Sequence, residues 1–69
     1  MPRLSVLLPA HNAERTVTRA VRSTLAALPP DAELVVADDG STDRTAERVL
    51  AGAARRGVVD RRLRLVDAA

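Results

Sequence analysis

The sequence predicts an α/β fold in which strand and helix alternate, β-α-β-α-β, around a three-stranded parallel sheet. Three observations carry this expectation. Short runs rich in Leu, Val and Ala recur three times, at residues 4–8, 34–37 and 63–66, interrupted only by Ser5 and Arg64, the composition of strands covered by other structure rather than lying half in water. Two intervening stretches place apolar residues at helical spacing. Pro9, the Pro29-Pro30 pair and Gly40 punctuate the segments where a strand or helix has to stop.

Taken in order, Leu4, Val6, Leu7 and Leu8 form a first strand that Pro9 is expected to end, because proline removes a ladder donor. Asn12 is then placed to cap a helix, with Glu14 in its first turn complementing the dipole. Val17, Ala20, Val21, Thr24, Leu25 and Leu28 make the apolar stripe of that helix, Arg15, Arg19 and Arg22 fall off it, and Pro29 and Pro30 stop it. A second strand, Glu33 to Ala37, leads into Asp38-Asp39-Gly40. A second helix is expected from about Asp43 to Arg56, with Ala46, Val49, Leu50 and Ala53 as its stripe and Gly57 at its C-cap. After a loop from Val58 to Arg61, Leu63 to Val66 reads as the third strand.

Such a Rossmann-like order argues right-handed crossovers. With the strands in the order 3-2-1, both helices fall on one face and the other face is bare aliphatic sheet, a condition parallel sheets rarely tolerate. Residues 1–69 therefore read as a single incomplete domain. Self-association through the uncovered face is the other way such a sheet could be shielded.

Composition narrows the possible functions. A 69-residue chain buries only roughly 60% of its unfolded surface, and without Phe, Tyr or Trp its core is aliphatic. The absence of cysteine removes disulfides and thiolate metal sites and suits a reducing interior. The formal charge is +2 and every base is arginine, a weak basis for nucleic-acid binding; none is expected. Arg55, Arg56, Arg61, Arg62 and Arg64 cluster near the C-terminus, open to a phosphate or anionic-membrane role but expected to be a solvated helix end and loop. No run approaches the ~20 apolar residues that span a bilayer, and the short opening run gives way to His11, Asn12 and Glu14 too soon for a signal peptide.

The chemistry concentrates where the first two strands end. In open α/β sheets ligands bind at the carboxyl ends of the strands, and there Pro9, His11, Asn12 and Glu14 would face Asp38, Asp39 and Ser41. A carboxylate only accepts hydrogen bonds, so an Asp in this crevice suits a ring N–H flanked by carbonyls, as in uracil, thymine or guanine. His11 could stack on the base and Glu14 accept from a ribose hydroxyl. Structural roles stay open to each: a plain capping turn for Asp38-Asp39-Gly40-Ser41, a solvated His11, a dipole-complementing Glu14, an Asp38 that holds only backbone. No Gly-x-Gly-x-x-Gly follows the first strand, against a dinucleotide site. A phosphoacceptor receiver would call for a lysine, which the chain lacks.

The pair SVLLPAHNAERTVTRAVRSTL and ELVVADDGSTDRT, in this order and at this separation, resembles the opening of family 2 glycosyltransferases, inverting enzymes with the GT-A fold. The likeness runs from Leu4 to about Val66. It implies the N-terminal portion of a GT-A domain and a nucleotide-sugar donor, a UDP-, dTDP- or GDP-sugar, with the positions matching Pro9, His11, Glu14 and Asp39 lining the nucleotide pocket. Asp39 matches the residue that contacts the base, His11 stands where tyrosine is commoner, and Asp38 is carried over as a pocket residue. The resemblance further implies Mg²⁺ or Mn²⁺ in a full-length enzyme, held by a later Asp-x-Asp motif, and a later general base. Neither motif lies in this chain, so these residues are expected to bind no metal alone and to contribute no catalytic group. The implied location is the cytoplasm, or the cytoplasmic face of a membrane for a longer parent. The alternative is a free-standing, non-catalytic binding or oligomerising module.

Overall fold

A computed structural model describes residues 3–68. Its elements run β1 (Leu4–Ala10), α1 (Val17–Ala27), β2 (Ala32–Asp38), α2 (Thr45–Ala53), β3 (Ala54–Arg55), β4 (Val58–Val59) and β5 (Leu63–Asp67). The main sheet has the order β1-β2-β5 and is parallel throughout, the sequential 3-2-1 arrangement considered from the sequence. β3 and β4 form a separate antiparallel hairpin.

Alternation along the strands divides the sheet into two unlike faces. Leu34 and Val36 of β2 are fully buried, and Val6, Leu8, Leu63 and Leu65 pack beside them against Val17, Val21 and Leu25 of α1 and Val49 and Ala53 of α2. Both helices thus cover one face, as right-handed crossovers require. The opposite face carries Leu7, 66% exposed, and Val66, 38% exposed. It is not wholly aliphatic: at its lower end Ser5 donates to Glu33 at 2.8 Å and Arg64 lies 3.5 Å from the same carboxylate.

Several boundaries differ from expectation for identifiable reasons. Pro9 does not end β1, which runs to Ala10 with Pro9 paired in register with Ala37; β1 is an edge strand, where a missing N–H is tolerated. Asn12 is not a helix cap. It is left-handed, φ 47°, and α1 is entered through a turn in which Thr16 N–H and Val17 N–H both donate to the Ala13 carbonyl. Glu14 consequently lies in that turn and not in the first turn of α1. Leu28, extended before Pro29, ends α1 as predicted.

The second helix is shorter than the sequence suggests. Ala54 is extended and closes α2, and Arg56 and Gly57 both have positive φ, 52° and 79°, the pair of left-handed residues that a two-residue hairpin turn needs. Gly57 is therefore a hairpin residue and not a C-cap, and the expected loop from Val58 contains β4. In α2 itself Leu50 faces solvent, 43% exposed, while Gly52 is buried. A Cβ at Gly52 would stand 2.7 Å from the Thr18 carbonyl oxygen, so glycine sets how closely the two helices approach.

The arginine cluster is dispersed. Arg62 turns inward and donates to the Leu25 and Leu28 carbonyls at 3.0 and 2.7 Å, satisfying the open end of α1, and pairs with Asp60 at 2.8 and 3.1 Å. Asp60 is held below the ordinary carboxylate range by these hydrogen bonds. Arg64 lies on the open sheet face, and Arg55, Arg56 and Arg61 are exposed around the hairpin.

Candidate functional site

Register brings the two ligand-bearing ends of the sheet together. Ala10 pairs with Asp38, and Asp39 N–H donates to the Ala10 carbonyl at 2.9 Å, so the β1–α1 loop and the β2–α2 loop leave the sheet side by side. Asp38 also pairs in register with Asp67 of β5. The rim is thus the carboxyl end of all three parallel strands, where this class of sheet places its ligands.

His11 meets Asp39 directly. Its Nδ1 lies 2.6 Å from the Asp39 carbonyl oxygen, which can only accept, so Nδ1 carries the proton and donates. The Nε2 atom then accepts from the Asn12 amide at 3.5 Å. These bonds lie in the ring plane and leave the faces of an exposed imidazole for stacking. The Asp39 peptide is in this way held at both its N–H and its carbonyl, while its exposed carboxylate has no hydrogen-bond partner among the described residues.

Asp38 does different work. It is half-buried, and its Oδ1 accepts from Ser41 N–H at 3.2 Å across Gly40, closing the turn that Gly40 makes with φ 64°. Pro9 stands one residue back from the rim, exposed on the open face. Glu14 is half-buried; its N–H donates to Asp43 Oδ2 at 3.4 Å, and no hydrogen bond joins its carboxylate to the His11–Asp39 pair. Of the residues singled out in the sequence, then, His11 and Asp39 are in direct contact, Asp38 supports the turn between them and Ser41, and Pro9 and Glu14 flank them on different sides.

Three residues not singled out for this role tie the loops together. Thr45 is fully buried; its hydroxyl accepts from Ala13 N–H at 2.8 Å and donates to Asp43. Asp43 also accepts Thr45 N–H at 3.0 Å. The Thr45 hydroxyl, aided by the Thr45 and Glu14 amides, holds Asp43 below its ordinary pKa of 3.8. Asn12 donates its N–H to Ser41 Oγ and accepts Thr42 N–H at its Oδ1, both at 2.9 Å. An Asn in a Pro-x-x-Asn turn, a residue tolerant of left-handed backbone, and the Asp-x-Thr spacing were the available signals.

Among the described residues no group of three or more His, Cys, Asp or Glu side chains could hold a metal ion, so they do not fit the divalent cation that the resemblance implies. No helix among them is long and apolar enough to cross a membrane.

Comparison with known proteins bears on the family and the fold. A family model described as Glycosyl transferase family 2 matches residues 5–66. An uncharacterised glycosyltransferase of Nostoc sp. is 42% identical over 43 residues, which is 62% of this chain and 13% of that protein. The crystal structure of glucosyl-3-phosphoglycerate synthase from M. tuberculosis superposes with a TM-score of 0.70 and 35% identity, over 93% of this chain and 20% of that one. The chain thus spans a fifth or less of the length of these relatives.

Proposed function

Since the chain belongs to glycosyl transferase family 2, we propose that it forms the nucleoside-binding rim of an inverting glycosyltransferase that uses a nucleotide-diphosphate sugar. The observation that carries this reading is the Asp39 carboxylate, exposed and without a hydrogen-bond partner among the described residues, on a peptide held by Ala10 and His11. A carboxylate fixed in this way accepts the ring N–H of uracil, thymine or guanine and meets the lone pair of adenine or cytosine unfavourably. The His11 faces supply stacking, and Pro9 and Glu14 border the pocket for base and ribose.

Inverting transfer is a direct displacement at the anomeric carbon. It needs a base for the acceptor hydroxyl and positive charge for the departing diphosphate. We assign neither role to the described residues, whose part is to bind and orient the nucleoside. Any Mg²⁺ or Mn²⁺ in the complete enzyme is held by other residues.

Titration calorimetry on the natural full-length polypeptide tests the reading. UDP, dTDP or GDP should bind tighter than ADP and CDP, and Asp39→Ala should weaken that binding by about 1.5–3 kcal/mol, the range for a charge-assisted hydrogen bond. Equal affinity of parent and variant would remove Asp39 from the site. The exposed Leu7 and Val66 favour a second reading, a module that self-associates through its open face; concentration-dependent mass with no nucleotide binding would select it.

A further inference from the structure

We propose that Asn12 is a positioning residue for the base-reading carboxylate, fastening the β2–α2 turn so that Asp39 keeps one orientation. The inference rests on the nucleotide-binding reading above and adds to it a residue that touches no ligand.

The geometry is specific to Asn12. The turn from Asp39 to Thr42 contains Gly40 at φ 64°, a residue whose backbone rotates with little steric hindrance. Asp38 Oδ1 restrains it from within at Ser41 N–H. Among the described residues, the other hydrogen bonds to this turn, apart from the Ala10 bond to Asp39 N–H, come from the β1–α1 loop. On the far side of Gly40, Asn12 N–H reaches Ser41 Oγ and Asn12 Oδ1 takes Thr42 N–H, both at 2.9 Å, with the Thr42 hydroxyl at 3.5 Å. On the near side, the Asn12 amide faces His11 Nε2 at 3.5 Å, and His11 Nδ1–H holds the Asp39 carbonyl at 2.6 Å. Asn12 therefore holds the far flank of the glycine directly and the near flank through His11.

Backbone conformation explains the choice of residue. At φ 47° most side chains are strained, whereas Asn enters this region readily. An amide carries the acceptor for Thr42 and the donor for His11 on two separate atoms of one short side chain, whereas a hydroxyl has both on a single atom. Aspartate lacks the donor, and would add charge to a rim already rich in carboxylates.

The test is a double-mutant cycle on the natural full-length polypeptide, read by calorimetry with the tightest-binding of UDP, dTDP and GDP and with ADP. Asn12→Gly keeps the left-handed backbone and the N–H to Ser41 but deletes the side-chain bonds. It should weaken the preferred nucleotide by about three- to tenfold, the worth of one ordinary hydrogen bond, and leave ADP nearly unchanged, so that selectivity falls by the same factor. In an Asp39→Ala background the same substitution should change nothing. Equal losses for both nucleotides, additivity with Asp39→Ala, or an unchanged affinity would each overturn the proposal. Ser41→Ala, which opens the same latch from the other loop, is measured beside it and carries the same expectations if the glycine variant does not fold. Should Asp39→Ala itself leave affinity unaltered, the nucleotide-binding reading fails and this inference falls with it.

Discussion

Replacing Gly52 by alanine opposes two physical rules whose magnitudes can be compared. Helix propensity favours alanine over glycine by about 0.8–1 kcal/mol in a helix interior. At Gly52 the added Cβ would lie 2.7 Å from the Thr18 carbonyl oxygen and 3.2 Å from Thr18 Cα and Val21 Cβ. The nearest obstacles are backbone atoms of α1, which cannot rotate away, so the helices must separate. Overpacking of this kind costs about 1–3 kcal/mol. Separation also stretches the cross-helix bond from the Thr18 hydroxyl to the Arg48 carbonyl, now 3.1 Å, which is worth about 1 kcal/mol. The propensity gain offsets roughly the hydrogen-bond loss, and Gly52→Ala should leave the protein less stable by about 1–3 kcal/mol. Equilibrium urea unfolding of parent and variant measures this, with Ser23→Ala on the exposed face of α1 as the control in which propensity acts alone. A Gly52→Ala variant as stable as the parent, or more so, would refute the close-approach argument.

Two further expectations concern groups that hold the ends of the helices. Arg62→Met keeps the aliphatic stem but removes the donors to Leu25, Leu28 and Asp60; thermal or urea unfolding should show a loss of about 2–4 kcal/mol, and Arg62→Lys should recover only part of it, since a single ammonium cannot span the same acceptors. Asp43, whose folded pKa lies below 3.8, contributes stability that is present above that value and is lost as pH falls through the lower, folded one. Unfolding midpoints followed from about pH 5 to pH 2 should decline less steeply in Asp43→Asn than in the parent; identical slopes would show that the Thr45 contacts do not discriminate the charged form.

The strands were legible because their cores are rich in Leu and Val, although Pro9 lies inside β1 and does not bound it, and the stripe of α1 matched because Val17, Val21 and Leu25 repeat at four-residue spacing before Pro29-Pro30. That both helices share one face followed from handedness once the strands were taken in the order 3-2-1. What escaped the sequence depended on contacts between distant segments. Arg56-Gly57 reads equally as a helix end or as a hairpin turn, and the pairing of Ala54 with Val59 decides it. Asn12 has the composition of a cap but spends its amide on Ser41 and Thr42, some thirty positions later. Leu50, expected in the stripe of α2, is exposed and Gly52 is buried, because α1 as well as the sheet packs on α2 and only a residue without a side chain fits where Thr18 passes. For the candidate site, the convergence of His11 with Asp39 was readable from strand adjacency; the division of labour between Asp38 and Asp39 was not, because both are acids at a strand end and only the Ser41 N–H distinguishes them.

The charges at the rim bear on how far these residues can carry the proposed chemistry. Glu14, Asp38, Asp39, Asp43 and Asp67 all lie at the strand ends or in the two loops, against Arg15 and Arg44 as the basic side chains of those loops. Asp43 is further stabilised as an anion by its hydrogen bonds. A diphosphate approaching this edge meets like charge, and each carboxylate within a Debye length, about 8 Å at physiological ionic strength, raises the free energy of the dianion. A nucleoside meets no such penalty, since its base and ribose present N–H and O–H donors that carboxylates accept. On the proposed reading, the same rim would attract one half of a nucleotide sugar and repel the other, orienting the ligand with its base on Asp39 and its phosphates turned away from the acids. On the proposed reading, the cation that neutralises the phosphates approaches from beyond this rim, and the acidic corner acts as an orienting surface as well as a base reader.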